Sequence, residues 1–183
     1  MIFYRMNILK KAKLTSKAQE IRFFFTDVDG TLTNGYTYYS SEGEEFKGFN
    51  HRDGTAKLLL KIFDIETGIV TGEDSEIVRR RAEKLGITQC FLGIRDKVEC
   101  ISNFIEKNNL KFDNICYIGD DINDVKLMKL VGLSFATSDA NSMVKKVVDF
   151  ICDAKGGEGA FREAAELLLK LRGHRAKDFS ELL

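Results

Sequence analysis

Two carboxylates one residue apart, Asp27 and Asp29, stand at the end of the apolar run Phe23-Phe24-Phe25, and Gly30 and Thr31 follow them. In an extended chain residues i and i+2 point the same way, so both acids can approach one site. Gly30 lets the backbone turn sharply there without a side-chain clash. Carboxylates crowded at a buried strand end repel each other, and a shared cation or proton relieves the repulsion. The pair therefore asks for a metal ion. An isolated Asp-x-Asp also begins ordinary turns, so the partners of such a site must be found further along the chain.

Several stretches offer them. Residues 115–118 form another apolar run that ends in carboxylates, Gly119-Asp120-Asp121-Ile122-Asn123-Asp124, where Asp120 and Asp124 share a face if a helix begins at once. Residues 65–71 end in Thr71-Gly72, where a hydroxyl and free backbone N–H groups make a phosphate seat, with Asp74 or Ser75 capping the next helix. Lys97 falls in the first turn of a helix over residues 96–107, against the helix dipole, which invites a functional reason such as neutralising phosphate charge. Arg81 and Lys84 lie beside the apolar stripe Val78, Ala82 and Leu85; the plain alternative is a solvated face with Glu76–Arg80 and Arg79–Glu83 pairs. His51 and Arg52 together suit an anionic substrate group, although surface roles are the default for each. With only two histidines in the chain, His51 and His174, a histidine metal cluster has almost no support.

The elements that must position these groups alternate. Strands are expected at residues 23–26, 65–71, 89–93, 115–118, 132–137 and 148–151, and helices at 55–63, after the cap at Asp74 or Ser75 through the stripe to Leu85, and at 96–107, 141–146 and 160–171. This alternation predicts an α/β fold, a doubly wound parallel sheet flanked by helices whose ligands sit at the carboxyl ends of the strands. Asn34-Gly35, the tyrosine-rich run beyond it and a Ser-Glu-Gly turn predict a projecting β-hairpin over residues 32–49, with no large cap domain. Its tyrosines need cover, from their own domain or from another subunit. A single domain over residues 21–172 is expected, with a helical extension over 1–20 and a tail over 173–183. Met6 is an alternative start to Met1, and the N-terminal segment lacks the pattern of a secretory signal.

Composition narrows the field. Among 183 residues, Lys plus Arg and Asp plus Glu balance at 28 each, so no global basic field recruits nucleic acid or an anionic membrane. No apolar run approaches the roughly 20 residues of a membrane span. The cysteines Cys90, Cys100, Cys116 and Cys152 have no metal-binding spacing and read as small buried thiols of a reducing, cytoplasmic compartment. Proline is absent altogether, for which there is no functional account.

In order, Asp27-Val28-Asp29-Gly30-Thr31, Ile69-Val70-Thr71-Gly72, Lys97 and Gly119-Asp120-Asp121-Ile122-Asn123-Asp124 resemble the motifs of the haloacid dehalogenase superfamily phosphatases. The resemblance implies that Asp27 attacks phosphorus, that Asp29 is general acid and base, and that Thr71 and Lys97 stabilise the transferring group. It further implies Mg²⁺ held by Asp27, the backbone carbonyl of Asp29 and Asp120. The short spacings and three local stretches, 18–22, 49–54 and 156–163, are similar to the capless 3-deoxy-D-manno-octulosonate 8-phosphate phosphatase group, which implies a homotetramer assembled through hairpins, each site closed by a neighbouring subunit. Thr71-Gly72-Glu73 and the helix carrying Arg81 and Lys84 look like the branch acting on 2-keto-3-deoxy-nonulosonate 9-phosphates. There Gly72, Glu73, Arg81 and Lys84 meet the substrate, Arg81 from across a subunit boundary. Asn50, His51 and Arg52 lean toward the octulosonate enzymes. The expectation is thus a Mg²⁺-dependent phosphatase of a phosphorylated sugar acid, with the nonulosonate ester favoured. The alternative is a catalytically dispensable assembly module like the phosphatase-like domain of animal acylneuraminate cytidylyltransferases.

Overall fold

The strand that delivers Asp27, β1 (Phe23–Thr26), lies inside a six-stranded parallel sheet in the computed structural model, which describes residues 8–174. β4 (Glu66–Val70) and β6 (Ile115–Gly119) flank it. β5 (Gln89–Phe91) extends the sheet beyond β4, and β7 (Leu133–Ala136) and β8 (Phe150–Ile151) extend it beyond β6. The chain builds one wing of the sheet, then crosses β1 and builds the other. The switch point therefore falls at the carboxyl end of β1, where such folds bind their ligands.

β1 is apolar on both faces because both faces are covered. Phe24 packs on Phe161 and Phe135, with ring centroids 5.0 and 5.7 Å away, in the core shared with α1 (Ile8–Glu20), α2 (His51–Ile62), α3 (Glu76–Leu85) and α7 (Ala160–Leu171). Phe25 points the other way, 5.1 Å from Phe104, into the core under α4 (Lys97–Lys107), α5 (Val125–Met128) and α6 (Ser142–Lys145). Gly68 in β4 is required by this packing, since a Cβ there would strike the ring of Phe25. α1 contributes Leu14 and Ala18 to the first core and thus belongs to the packed body of the domain. Residues 1–7 and 175–183, with the choice between Met1 and Met6 and most of the expected tail, lie outside the described residues.

Two elements depart from expectation. α2 begins at His51, ahead of the expected residue 55, because Asn50 caps it: the Asn50 side chain accepts a hydrogen bond from the Arg52 N–H. After β6 no helix begins at once. The chain stays extended at Asp121, makes a 3₁₀ turn over Ile122–Asp124, and only then enters α5.

The hairpin is a separate two-stranded sheet, β2 (Tyr38–Ser40) against β3 (Gly43–Phe46). Tyr36, Tyr38, Tyr39 and Phe46 are 60–68% exposed, so their own domain does not cover them.

Candidate active site

The parallel register brings the two acidic strand ends together. Asp27 follows β1 and its N–H donates to the Ile118 carbonyl at 3.0 Å, which sets it beside Gly119 and Asp120. Gly30, at φ +86°, leaves room for the Asp120 carboxylate that a Cβ would strike. Thr31 Oγ1 donates to Asp120 Oδ1 at 3.0 Å. Thr71 is buried just past β4, on the other side of β1. From a helix start, Lys97 reaches the same place. Asp96 caps α4 by accepting from the N–H groups of Val98 and Glu99, and the Lys97 ammonium lies 2.8 Å from Asp27 Oδ1.

Asp124, which joins no expected ligand set, is fully buried and saturated with partners. Its Oδ1 accepts from Lys97 at 2.7 Å and from the Tyr117 hydroxyl at 2.6 Å, and its Oδ2 from the N–H groups of Asp120 and Asp121 at 3.0 and 3.2 Å. A carboxylate has about four acceptor positions. With all four engaged, Asp124 holds Lys97 and the Asp120 loop in place.

Carboxylate oxygens of Asp27, Asp120 and Asp124 lie within 4.8 Å of one another. Two of these carboxylates, Asp27 and Asp124, touch the one ammonium, and the all-oxygen set keeps an excess of negative charge that suits a hard divalent cation such as Mg²⁺. The Asp29 carboxylate is not one of these three, and its expected share in metal binding rests on its backbone carbonyl. Crowding marks the acids themselves. Burial raises Asp27 to about 6, Lys97 pulling it down and Asp124 pushing it up. Asp120 is raised to about 7 by burial and then by the charge of Asp27, with the Thr31 hydrogen bond opposing. Burial disfavours charge on Lys97, yet Asp27 and Asp124 outweigh it and raise its pKa. A bound cation favours the ionised carboxylates.

Lys47, which sequence reasoning missed, enters from the hairpin. Its ammonium lies 2.8 Å from Asp29 Oδ1 and 2.6 Å from Glu73 Oε2. Burial lowers its pKa, but the hydrogen bonds to Asp29 and Glu73 leave it raised. A lysine after a strand reads as solvated, and the chain's one hint was the aromatic before it, Phe46, whose outward ring turns the following residue inward. Tyr117 was hidden within an apolar strand.

The expected substrate groups are only partly gathered. Glu73 stands at the rim, half exposed, on Lys47. Gly72 is exposed beside it. Asn50 donates to the Gly157 carbonyl at 3.2 Å, and Gly156 and Gly157 pack against the backbone of residues 30–34, so three loops enclose the acids. His51, Arg52 and Lys84 are exposed. Arg81, expected to reach another subunit, is engaged in its own chain: its guanidinium lies 5.5 Å from the Phe49 ring centroid and donates to the Asn50 carbonyl at 3.3 Å. An open groove of about 710 Å³ between β5 and α4 lies apart, with none of these residues in its walls.

Known proteins resemble the chain along most of its length. The haloacid dehalogenase-like hydrolase family matches residues 92–162. The 3-deoxy-D-manno-octulosonate 8-phosphate phosphatase of Escherichia coli K12 is 39% identical over 162 residues, covering 88% of this chain and 86% of that protein. The Moraxella catarrhalis enzyme of the same name, solved with magnesium, phosphate and KDO, superposes with a TM-score of 0.88 at 34% identity, covering 93% of this chain and 98% of that one. The cobalt-bound Haemophilus influenzae phosphatase superposes with a TM-score of 0.82 at 39% identity, covering 86% and 92%.

Proposed function

Because the chain belongs to the 3-deoxy-D-manno-octulosonate 8-phosphate phosphatase family of haloacid dehalogenase-like hydrolases, and is thus a phosphoric monoester hydrolase, we propose that it hydrolyses a 2-keto-3-deoxy sugar acid phosphate through an aspartyl-phosphate on Asp27. The carrying observation is the buried Asp27–Lys97 contact at the switch point, with Asp120 opposite. Residues 21–172 carry the phosphatase machinery in this reading, with α1 packed against them.

Asp27 attacks phosphorus as the ester P–O bond breaks, and Asp29 protonates the departing sugar oxygen. Asp29 then takes a proton from water, whose oxygen displaces Asp27 and releases phosphate. Lys97 and the Thr71 hydroxyl meet the charge on the transferring oxygens. Asp27, Asp120 and the Asp29 carbonyl would hold Mg²⁺, which screens the carboxylates and the phosphoryl oxygens when bound.

The relatives' substrate favours the octulosonate 8-phosphate. Glu73, poised at the rim, supports the nonulosonate 9-phosphate as second reading, so the preference expected from sequence alone moves to second place. The exposed aromatic hairpin supports assembly into a homotetramer through Tyr36, Tyr38, Tyr39 and Phe46. The test is Mg²⁺-dependent phosphate release from both esters side by side, with Asp27→Asn as control. Higher kcat/KM for the octulosonate ester supports the first reading, and the reverse order supports the second. Turnover by Asp27→Asn would sink the nucleophile assignment.

A further inference from the structure

Lys47 follows the last residue of β3, and its side chain is wholly withdrawn from solvent although Phe46 beside it is exposed. The ammonium ties Asp29 Oδ1 at 2.8 Å, and Thr33 Oγ1 approaches the same oxygen at 3.4 Å. Asp29 Oδ2, by contrast, is buried with no hydrogen-bond partner. One oxygen of the carboxyl group is thus anchored while the other keeps its full capacity to carry a proton. An aspartate side chain has several staggered rotamers, and Lys47 selects one of them.

We propose that Lys47 is a positioning residue for the phosphatase reaction, anchoring Asp29 Oδ1 so that Oδ2 faces the reacting centre. This rests on the reading of Asp29 as general acid and base. In the first step the Asp27–phosphorus bond forms, the ester P–O bond breaks, and the proton on Oδ2 passes to the leaving oxygen. In the second, a water proton returns to Oδ2 while the water oxygen bonds to phosphorus and the Asp27–phosphorus bond breaks. Both steps need Oδ2 in one place, and neither consumes Lys47. Glu73 completes the device by holding the ammonium from its other side, 2.6 Å away, so the hairpin's seating and the orientation of Asp29 are one variable.

The experiment uses the full chain with Mg²⁺, the variants Lys47→Met and Lys47→Arg, and two probes, 3-deoxy-D-manno-octulosonate 8-phosphate and p-nitrophenyl phosphate. p-Nitrophenolate departs without a proton, so its release in the first turnover does not need Oδ2. Lys47→Met is expected to lower kcat for the sugar ester on the order of 10²-fold, with KM within about threefold. Its first-turnover release of p-nitrophenolate stays within about fivefold of wild type, since only the acid's contribution is lost. Lys47→Arg, which keeps the charge, recovers about a tenth of wild-type kcat. A crystal structure of Lys47→Met shows Asp29 in another rotamer. Unchanged kcat, or an equal loss on both probes, overturns the proposal. If Lys47→Met does not fold, the same split between probes is expected of Lys47→Arg, and its absence overturns the proposal alike. Loss of both probes in Asp27→Asn with no split at Lys47 isolates the failure to Lys47; retained activity in Asp27→Asn removes the premise instead.

Discussion

The Lys97 ammonium and Asp27 Oδ1 are 2.8 Å apart, with side chains only 1% and 7% exposed, and Asp124 grips the same ammonium from the far side. A charge pair so withdrawn from water stands only while each member keeps its partner. Lys97 is positioned to neutralise charge, and its removal leaves Asp27, Asp120 and Asp124 facing one another.

Lys97→Met is therefore expected to cost twice. Without Mg²⁺ the variant loses about 3–5 kcal/mol of stability by urea unfolding, the magnitude of a broken buried pair. At saturating Mg²⁺ its kcat falls on the order of 10²–10³-fold, as for loss of one preorganised donor to the transition state. Normal turnover by a folded Lys97→Met protein would remove Lys97 from the site.

Asp53 predicts a pH effect away from the metal-binding acids. It sits in the first turn of α2, its Oδ1 accepting the Arg162 N–H at 2.9 Å and its Oδ2 buried without a partner. Burial raises its pKa from 3.8 to about 6; the Arg162 N–H and the charges of Arg81 and Arg162 oppose this. The folded state then binds the proton more tightly than the unfolded chain, so Asp53's contribution is fully present below pH 4 and is lost as pH rises through about 6. Relative to Asp53→Asn, the wild-type protein is expected to lose about 2–3 kcal/mol between pH 4 and 7, a Tm fall of roughly 5–10 °C. Parallel Tm curves for the two proteins across that range would contradict the assignment.

The hairpin gives the third prediction. Phe46 and Tyr39 stand on neighbouring strands with their rings in solvent, an apolar surface that a second copy of the chain would cover. If the hairpins assemble the proposed tetramer, Phe46→Glu and Tyr39→Glu place a charge in the interface and are expected to shift the protein to smaller species in light scattering, with Tm altered little in the dissociated subunit. A wild-type protein that is monomeric at working concentration would refute tetramer assembly outright.

The primary structure by itself determined which strands end in chemistry. The continuous apolar run before Asp27 could only be a strand covered on both faces, and the run before Asp120 repeats the pattern, so a parallel sheet with acids at one edge follows from local composition alone. Asp96 before Lys97 likewise announced the start of α4, because a side-chain cap is a local matter. Tertiary structure decided which groups meet. Lys47 finds Asp29 and Glu73 across 18 and 26 residues, and Tyr117 and Lys97 share Asp124, through rotamers and loop paths that no spacing encodes. It also turned Arg81 inward onto Phe49 and left the tyrosines of the hairpin uncovered. Strand and cap signals act over a few residues, whereas the placement of a buried charge depends on every element packed around it.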